Sequence, residues 1–245
     1  ISYRNDTLAA TTKNRYTLQN GIIVNTGDSI SKGTNMLELR AEYAYDSFGN
    51  LAYAVKDGTD KVVFLWGYHG LHPVAKIEGM AKQDVYTALG NTITTLAGNP
   101  SDSQVHGIHS SLSSGLVTTY AWKPLVGITS MQSPRGENTY FTYDTMGRLA
   151  SIHDHSHNVI EGYTYNYGTQ SYVRRYTITG TGGNSYRETT DYYDAIGRLS
   201  ETVAKGQSPT GQDLVTLTEY DALNRPIRQW LPTVFSNTGN YISQI

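Results

Sequence analysis

Three histidines at alternate positions, His153, His155 and His157, look the most chemically capable in this chain of 245 residues. On an extended strand such positions share a face, so three imidazoles could converge on a borderline metal ion. The same run falls between Leu149 and Val159, where a hairpin tip is due, and tips collect polar residues. The tip is the stronger reading, so no metal site is assigned. His106 and His109, spaced i, i+3 on an expected helix, could chelate as well, but ordinary hydrogen bonding suits them better. Asp46, Asp144, Asp194 and Asp221 recur in similar surroundings, and carboxylates brought together could do acid–base work. A residue present in each copy of a unit is more economically a turn acceptor. Phosphate loops, nucleophile elbows and paired zinc motifs are missing. With no cysteine, thiol catalysis, thiolate metal sites and disulfides are excluded. The expectation is a non-enzyme without a cofactor.

The recurrence of the aspartates leads back to the element that positions them. Tyr143-Asp144-Thr145-Met146-Gly147-Arg148-Leu149 has close copies in Tyr193-Asp194-Ala195-Ile196-Gly197-Arg198-Leu199 and Tyr45-Asp46-Ser47-Phe48-Gly49-Asn50-Leu51. A looser copy is Tyr220-Asp221-Ala222-Leu223-Asn224-Arg225-Pro226. Asp opening a type I turn accepts the backbone N–H two residues on, and the later Gly takes positive φ and starts the returning strand with a bulge. Asn224 replaces Gly in the last copy, and Asn is the next residue most tolerant of that region. Tyr before the turn and Leu after it are expected to face each other across the pair. Trp66 lies 21 residues after Tyr45, Trp122 lies 21 before Tyr143, and Tyr165 lies 22 after Tyr143. Later steps, to Tyr193 and Tyr220, lengthen to 28 and 27. Spacing of this kind reads as an array of one supersecondary unit, two strands and a turn.

On these motifs the chain resembles the YD-repeat proteins, the rearrangement-hotspot (Rhs) family, from about Leu37 to Trp230. The resemblance implies bacterial surface or toxin-delivery proteins in which β-hairpins spiral into a hollow shell, often around a toxin domain. It also implies partners: the remainder of a longer parent chain, and an encapsulated effector domain. In some relatives an Asp-Pro motif marks self-cleavage. This chain has Ser133-Pro134-Arg135-Gly136 at the comparable turn, so no cleavage is carried over.

Composition agrees with half-exposed sheets: 20 Tyr and 24 Gly stand against only four Phe and four Met. The formal net charge of −2, with no long basic run, argues against a nucleic-acid partner. No apolar run approaches the roughly 20 residues a membrane helix needs. The chain reads as a piece of a secreted or cell-surface protein, with its targeting signal outside it. The rival function is a carbohydrate- or protein-binding module, with exposed Tyr and Trp as a platform for a surface glycan.

The expected fold is all-β: antiparallel hairpin repeats in a curved open sheet, with a two-helix insertion near 81–114. Residues 1–36 form an N-terminal hairpin, turning at Asn20-Gly21, and a loop over Gly27 to Asn35. Residues 37–80 and 115–245 carry the β repeats, and the whole forms one continuous domain. Val85, Leu89 and Leu96 mark one helix, and Ser101 with Gln104 forms a capping box for the next. The open sheet edges, with their unpaired N–H and C=O groups, predict self-association.

Overall fold

The computed structural model describes residues 1–4, 7–180 and 185–235, in two compact units, residues 1–138 and 139–245. In both units the β-strands follow one another as an antiparallel meander, each hydrogen-bonded to the next in sequence up to the 226–229 strand, after which the last described strand returns to pair with its predecessor's neighbour. A period-2 pattern with short turns permits this topology without long crossovers.

Unit 1 holds β1 (Ser2–Arg4), β2 (Thr7–Gln19), β3 (Ile22–Lys32), β4 (Glu38–Tyr45), β5 (Leu51–Lys56), β6 (Asp60–Gly67), β7 (His72–Glu78), β8 (Leu116–Lys123) and β9 (Gly127–Gln132). Asn20-Gly21 makes the first hairpin turn as expected, with positive φ at both residues. The loop expected over Gly27 to Asn35 is a correction: Gly27 to Lys32 continue β3, which pairs with both β2 and β4. Small residues allow it. A Cβ at Gly27 would stand 2.9 Å from the Ala41 carbonyl oxygen, and Ser31 is buried. Two bonded neighbours thus override a turn-like composition.

Between β7 and β8 the β rhythm breaks as expected, but into more pieces. The insertion holds three short helices, α1 (Lys82–Leu89), α2 (Thr92–Ala97) and α3 (Asp102–His106), and a 3-10 turn (Gly107–Ser111), where two helices were expected. Gly90 stops α1, and the apolar spacing across it had concealed the break. Ser101 and Gln104 form the expected capping box, Ser101 N–H donating to Gln104 Oε1 at 2.9 Å. Val85, Leu89, Leu96, Val105, Ile108 and Leu112 bury against Val63, Leu65, Val74, Ile77 and Val117 of the sheet. This is the main core, and burial alternates along β6 and β8 because only one sheet face is covered by helices.

Unit 2 holds β10 (Asn138–Tyr143), β11 (Leu149–His153), β12 (Val159–Asn166), β13 (Ser171–Ile178), β14 (Tyr186–Tyr193), β15 (Leu199–Lys205), β16 (Asp213–Tyr220), β17 (Pro226–Gln229) and β18 (Thr233–Phe235). β17 and β18 pair with successive halves of β16, interrupted around Pro232, which has no N–H to give. Its buried apolar cluster is small, Tyr192, Val203 and Val215, with Tyr172, Leu217 and Phe235 packed on it. Among the described residues no helix is long and apolar enough to cross a membrane.

Candidate functional site

The repeated Tyr-Asp motif closes hairpins at β4/β5, β10/β11, β14/β15 and β16/β17. In the second copy the Gly147 N–H donates to the Asp144 carbonyl at 3.0 Å, and the Asp144 N–H donates to the Arg148 carbonyl at 2.9 Å. Asp144 Oδ1 accepts the N–H groups of Met146 (2.9 Å) and Arg148 (3.0 Å), while Oδ2 accepts from Arg148 Nε at 2.7 Å. Asp194 and Asp221 repeat these bonds with Ile196 and Arg198, and with Leu223 and Arg225. In the first copy Asn50 stands at the arginine position, and Asp46 bonds its backbone and side-chain amides. The bulge falls where expected, and Tyr45–Leu51, Tyr143–Leu149, Tyr193–Leu199 and Tyr220–Pro226 face each other across it. Gly49, Gly147 and Gly197 have positive φ, and Asn224 takes their place at φ 63°.

The electrostatics follow from the bonds. The Arg148 side chain, then its backbone N–H, holds the Asp144 carboxyl below the usual carboxylate range. Burial pushes Asp194 upward, but the bonds from Arg198 and Ile196 outweigh it and leave it lowered. Asp221 is lowered by the Arg225 backbone and side chain. The carboxylates of Asp144, Asp194 and Asp221 are thus each engaged by amides and a guanidinium of their own corner.

Three further corners have the same form without the Tyr-Asp signature. Asp154 accepts from Ser156 and Asn158, with His157 at φ 62° in the glycine position. Ser133 and Ser208 replace the carboxylate by a hydroxyl that accepts from the Glu137 and Gln212 N–H groups. The histidine run is therefore a turn, and the imidazoles do not line one strand face. His153 bonds Ser151 Oγ and the His157 carbonyl, His157 stacks on Tyr140 at 4.2 Å, and His155 is exposed at the tip. Among the described residues no group of three His, Cys, Asp or Glu stands close enough to hold a metal.

The structure adds a link between repeats that the motif alone did not reveal. Tyr165 and Tyr220 donate their hydroxyls to the carbonyls of Leu149 and Leu199, both at 2.9 Å. Trp66 Nε1 donates likewise to the Leu51 carbonyl at 2.9 Å. The Arg148 guanidinium lies 4.3 Å from the Tyr165 ring centre, and Arg198 lies 4.5 Å from that of Tyr220. Trp66, Tyr165 and Tyr220 thus each tie back to the residue that follows the corner of an earlier hairpin, which accounts for their spacing after a Tyr-Asp pair.

Two other places could hold chemistry. Under the helical insertion, His106 Nδ1 meets Thr119 Oγ1 at 2.7 Å and Nε2 meets Ser130 Oγ at 2.8 Å, while Ser130 donates to Asp102 at 3.1 Å. Burial lowers the pKa of His106, opposed by Asp102, and His109 is lowered by burial alone. Serine sits between histidine and aspartate and is only 1% exposed, so the group pins α3 to β8 and β9 and offers no nucleophile. Both imidazole nitrogens of His106 are occupied, which removes it from the chelating pair considered above. In unit 2 a cleft of about 470 Å³ opens beside the Asp194 corner, lined by Tyr167, Tyr172, Tyr193 and Val173 among others.

A family described as a domain of unknown function (DUF6443) matches residues 163–245. No curated protein matches. Among solved structures, the chain is similar to one titled TcdB2-TccC3-Cdc42, with 10% identity and a TM-score of 0.47, over 91% of this chain and 12% of that one. It is also similar to a Photorhabdus luminescens Tc holotoxin pore (8%, 0.40, covering 91% and 14%) and to TcdB2-TccC3 without its hypervariable C-terminal region (9%, 0.40, covering 96% and 14%). The chain therefore spans about an eighth of the length of these structures.

Proposed function

We infer that this chain is a β-wall, a structural scaffold segment of a secreted or cell-surface YD-repeat protein of the kind that encloses or displays a toxin or effector domain. One observation carries the reading: the aspartates that recur are consumed by their own corners, and Trp66, Tyr165 and Tyr220 are consumed by bonds to earlier hairpins. The recurring chemistry of the chain is spent on making a regular sheet, which is what a wall requires. Catalysis and cofactors have no part in this reading; the partners are the rest of a longer polypeptide and the domain it encloses.

Protease protection tests it. A longer polypeptide that carries this segment and an effector domain should keep the effector intact under limited proteolysis. Weakening the corners by Gly147→Ala with Gly197→Ala should expose it, and equal digestion in both cases would refute the enclosing role. The Tyr-lined cleft favours a second reading, a glycan-binding module. Glycan arrays with Tyr167→Ala and Tyr172→Ala controls decide it: ring-dependent binding supports the module, and silence leaves the wall.

A further inference from the structure

Consecutive turns of an antiparallel meander alternate between the two ends of the sheet, so in unit 2 the turns at 144–147, 167–170, 194–197 and 221–224 share one end. Each presents one large apolar or aromatic side chain to solvent: Met146, Tyr167, Ile196 and Leu223 are 72%, 67%, 64% and 71% exposed. At the other end, the described turns carry Ser156 and Thr210 at the matching position of the same corner. Corner geometry does not require the difference, because both ends use identical backbone bonds. Tyr186 at the opposite end and Leu231 between β17 and β18 are also exposed, but only this rim carries an apolar side chain at every one of its described turns, and such a row marks a contact surface.

We propose that this rim of unit 2 binds the same rim of a second copy of the chain. The row is evenly built, one apolar residue every second strand, at steps of roughly 10 Å from a strand spacing of about 4.8 Å. An even row matches itself under a two-fold axis, as an isologous interface requires. Charge does not oppose it, since the rim's Asp–Arg pairs close internally at 2.6 to 2.7 Å. The four side chains offer roughly 500 Å² per copy, so two rims reach the ~1,000 Å² at which specific interfaces begin. The 470 Å³ cleft lies between the second and third members of the row and gives the facing copy's apolar side chain a socket. Tyr167 and Ile196 then lie nearest the axis.

Sedimentation velocity of the intact chain over a hundredfold concentration range reads the proposal. The wild type should shift from monomer to dimer, and Met146→Ser/Ile196→Ser/Leu223→Ser should stay monomeric with an unchanged circular-dichroism spectrum. Ser156→Ala/Thr210→Ala at the opposite end should associate as the wild type does. The chain has no cysteine, so Ile196→Cys and Ser156→Cys give a second readout that does not depend on the triple variant folding. A short bismaleimide should cross-link the first into dimers and leave the second monomeric. A monomeric wild type, association untouched in the triple variant (contact through sheet edges), or equal cross-linking at both positions would overturn the proposal.

Discussion

Replacing Gly147 by alanine isolates the backbone requirement of the Tyr-Asp corner. Its φ is +76°, and an added Cβ would meet nothing within 4 Å, so no steric contact contributes to the cost. The left-handed region costs an L-residue roughly 1–2 kcal/mol. Alanine returns about 0.4–1 kcal/mol by restricting the unfolded chain. The net is a destabilisation of ~1 kcal/mol, a fall of about 2–4 °C in melting temperature for a chain of this size. Gly197 has φ +84° and equally open space, so the two substitutions should add. Asparagine at Gly147 should cost less than alanine, because Asn224 already occupies the equivalent position at φ 63°. Thr145→Ala, at the exposed neighbouring position, should stay within about 0.5 kcal/mol. Calorimetric melts of the four variants check the series. Equal melting of Gly147→Ala and Thr145→Ala, or a cost for asparagine as large as for alanine, would refute the corner.

Asp194→Ala removes an acceptor from two backbone N–H groups and should cost ~1 kcal/mol, as a lost helix cap does. Because the carboxyls of Asp144, Asp194 and Asp221 are lowered in the folded state, their contribution is present above about pH 3.9 and is lost as pH falls through their folded values; urea melts at pH 7 and 3 should show a smaller penalty for Asp194→Ala at the lower pH, and an equal penalty at both would remove the carboxylate as its source. His106 is also lowered, so the unfolded chain takes up the proton first and stability should decline as pH drops below about 6.5; His106→Asn should flatten that slope in pH-dependent melts, and an unchanged slope would remove His106 as its source. Leu96→Ala, at 1% exposure between α2 and the sheet, should cost about 2–5 kcal/mol by denaturant melts, against almost nothing for Leu223→Ala at the exposed rim.

The corners were legible in the sequence because their chemistry is local: an aspartate, the amide two residues on and a residue able to take positive φ all lie within five positions. The strands on either side followed, since a turn at a known place and period-2 alternation fix both ends of a hairpin. Corners at Ser133, Asp154 and Ser208 were harder to read, because serine or histidine stands where the strong copies have aspartate or glycine. The polar stretch from Gly27 to Lys32 failed for another reason: its strand conformation comes from pairing on both sides, which no local window contains. The break at Gly90 was hidden because the apolar spacing runs through it. The ties from Tyr165, Tyr220 and Trp66 to earlier carbonyls join residues 15 to 21 positions apart. Their aromatic spacing was visible, but the partner atoms are backbone oxygens, which carry no sequence signal.

The wall reading meets its most direct test in a cryo-EM map of a longer polypeptide that contains this segment. That map should show a continuous β-sheet wall with these hairpins in register, closed around density that belongs to another domain. A segment standing alone as a module with ligand density in the Tyr167 cleft, and no enclosed volume, would contradict it.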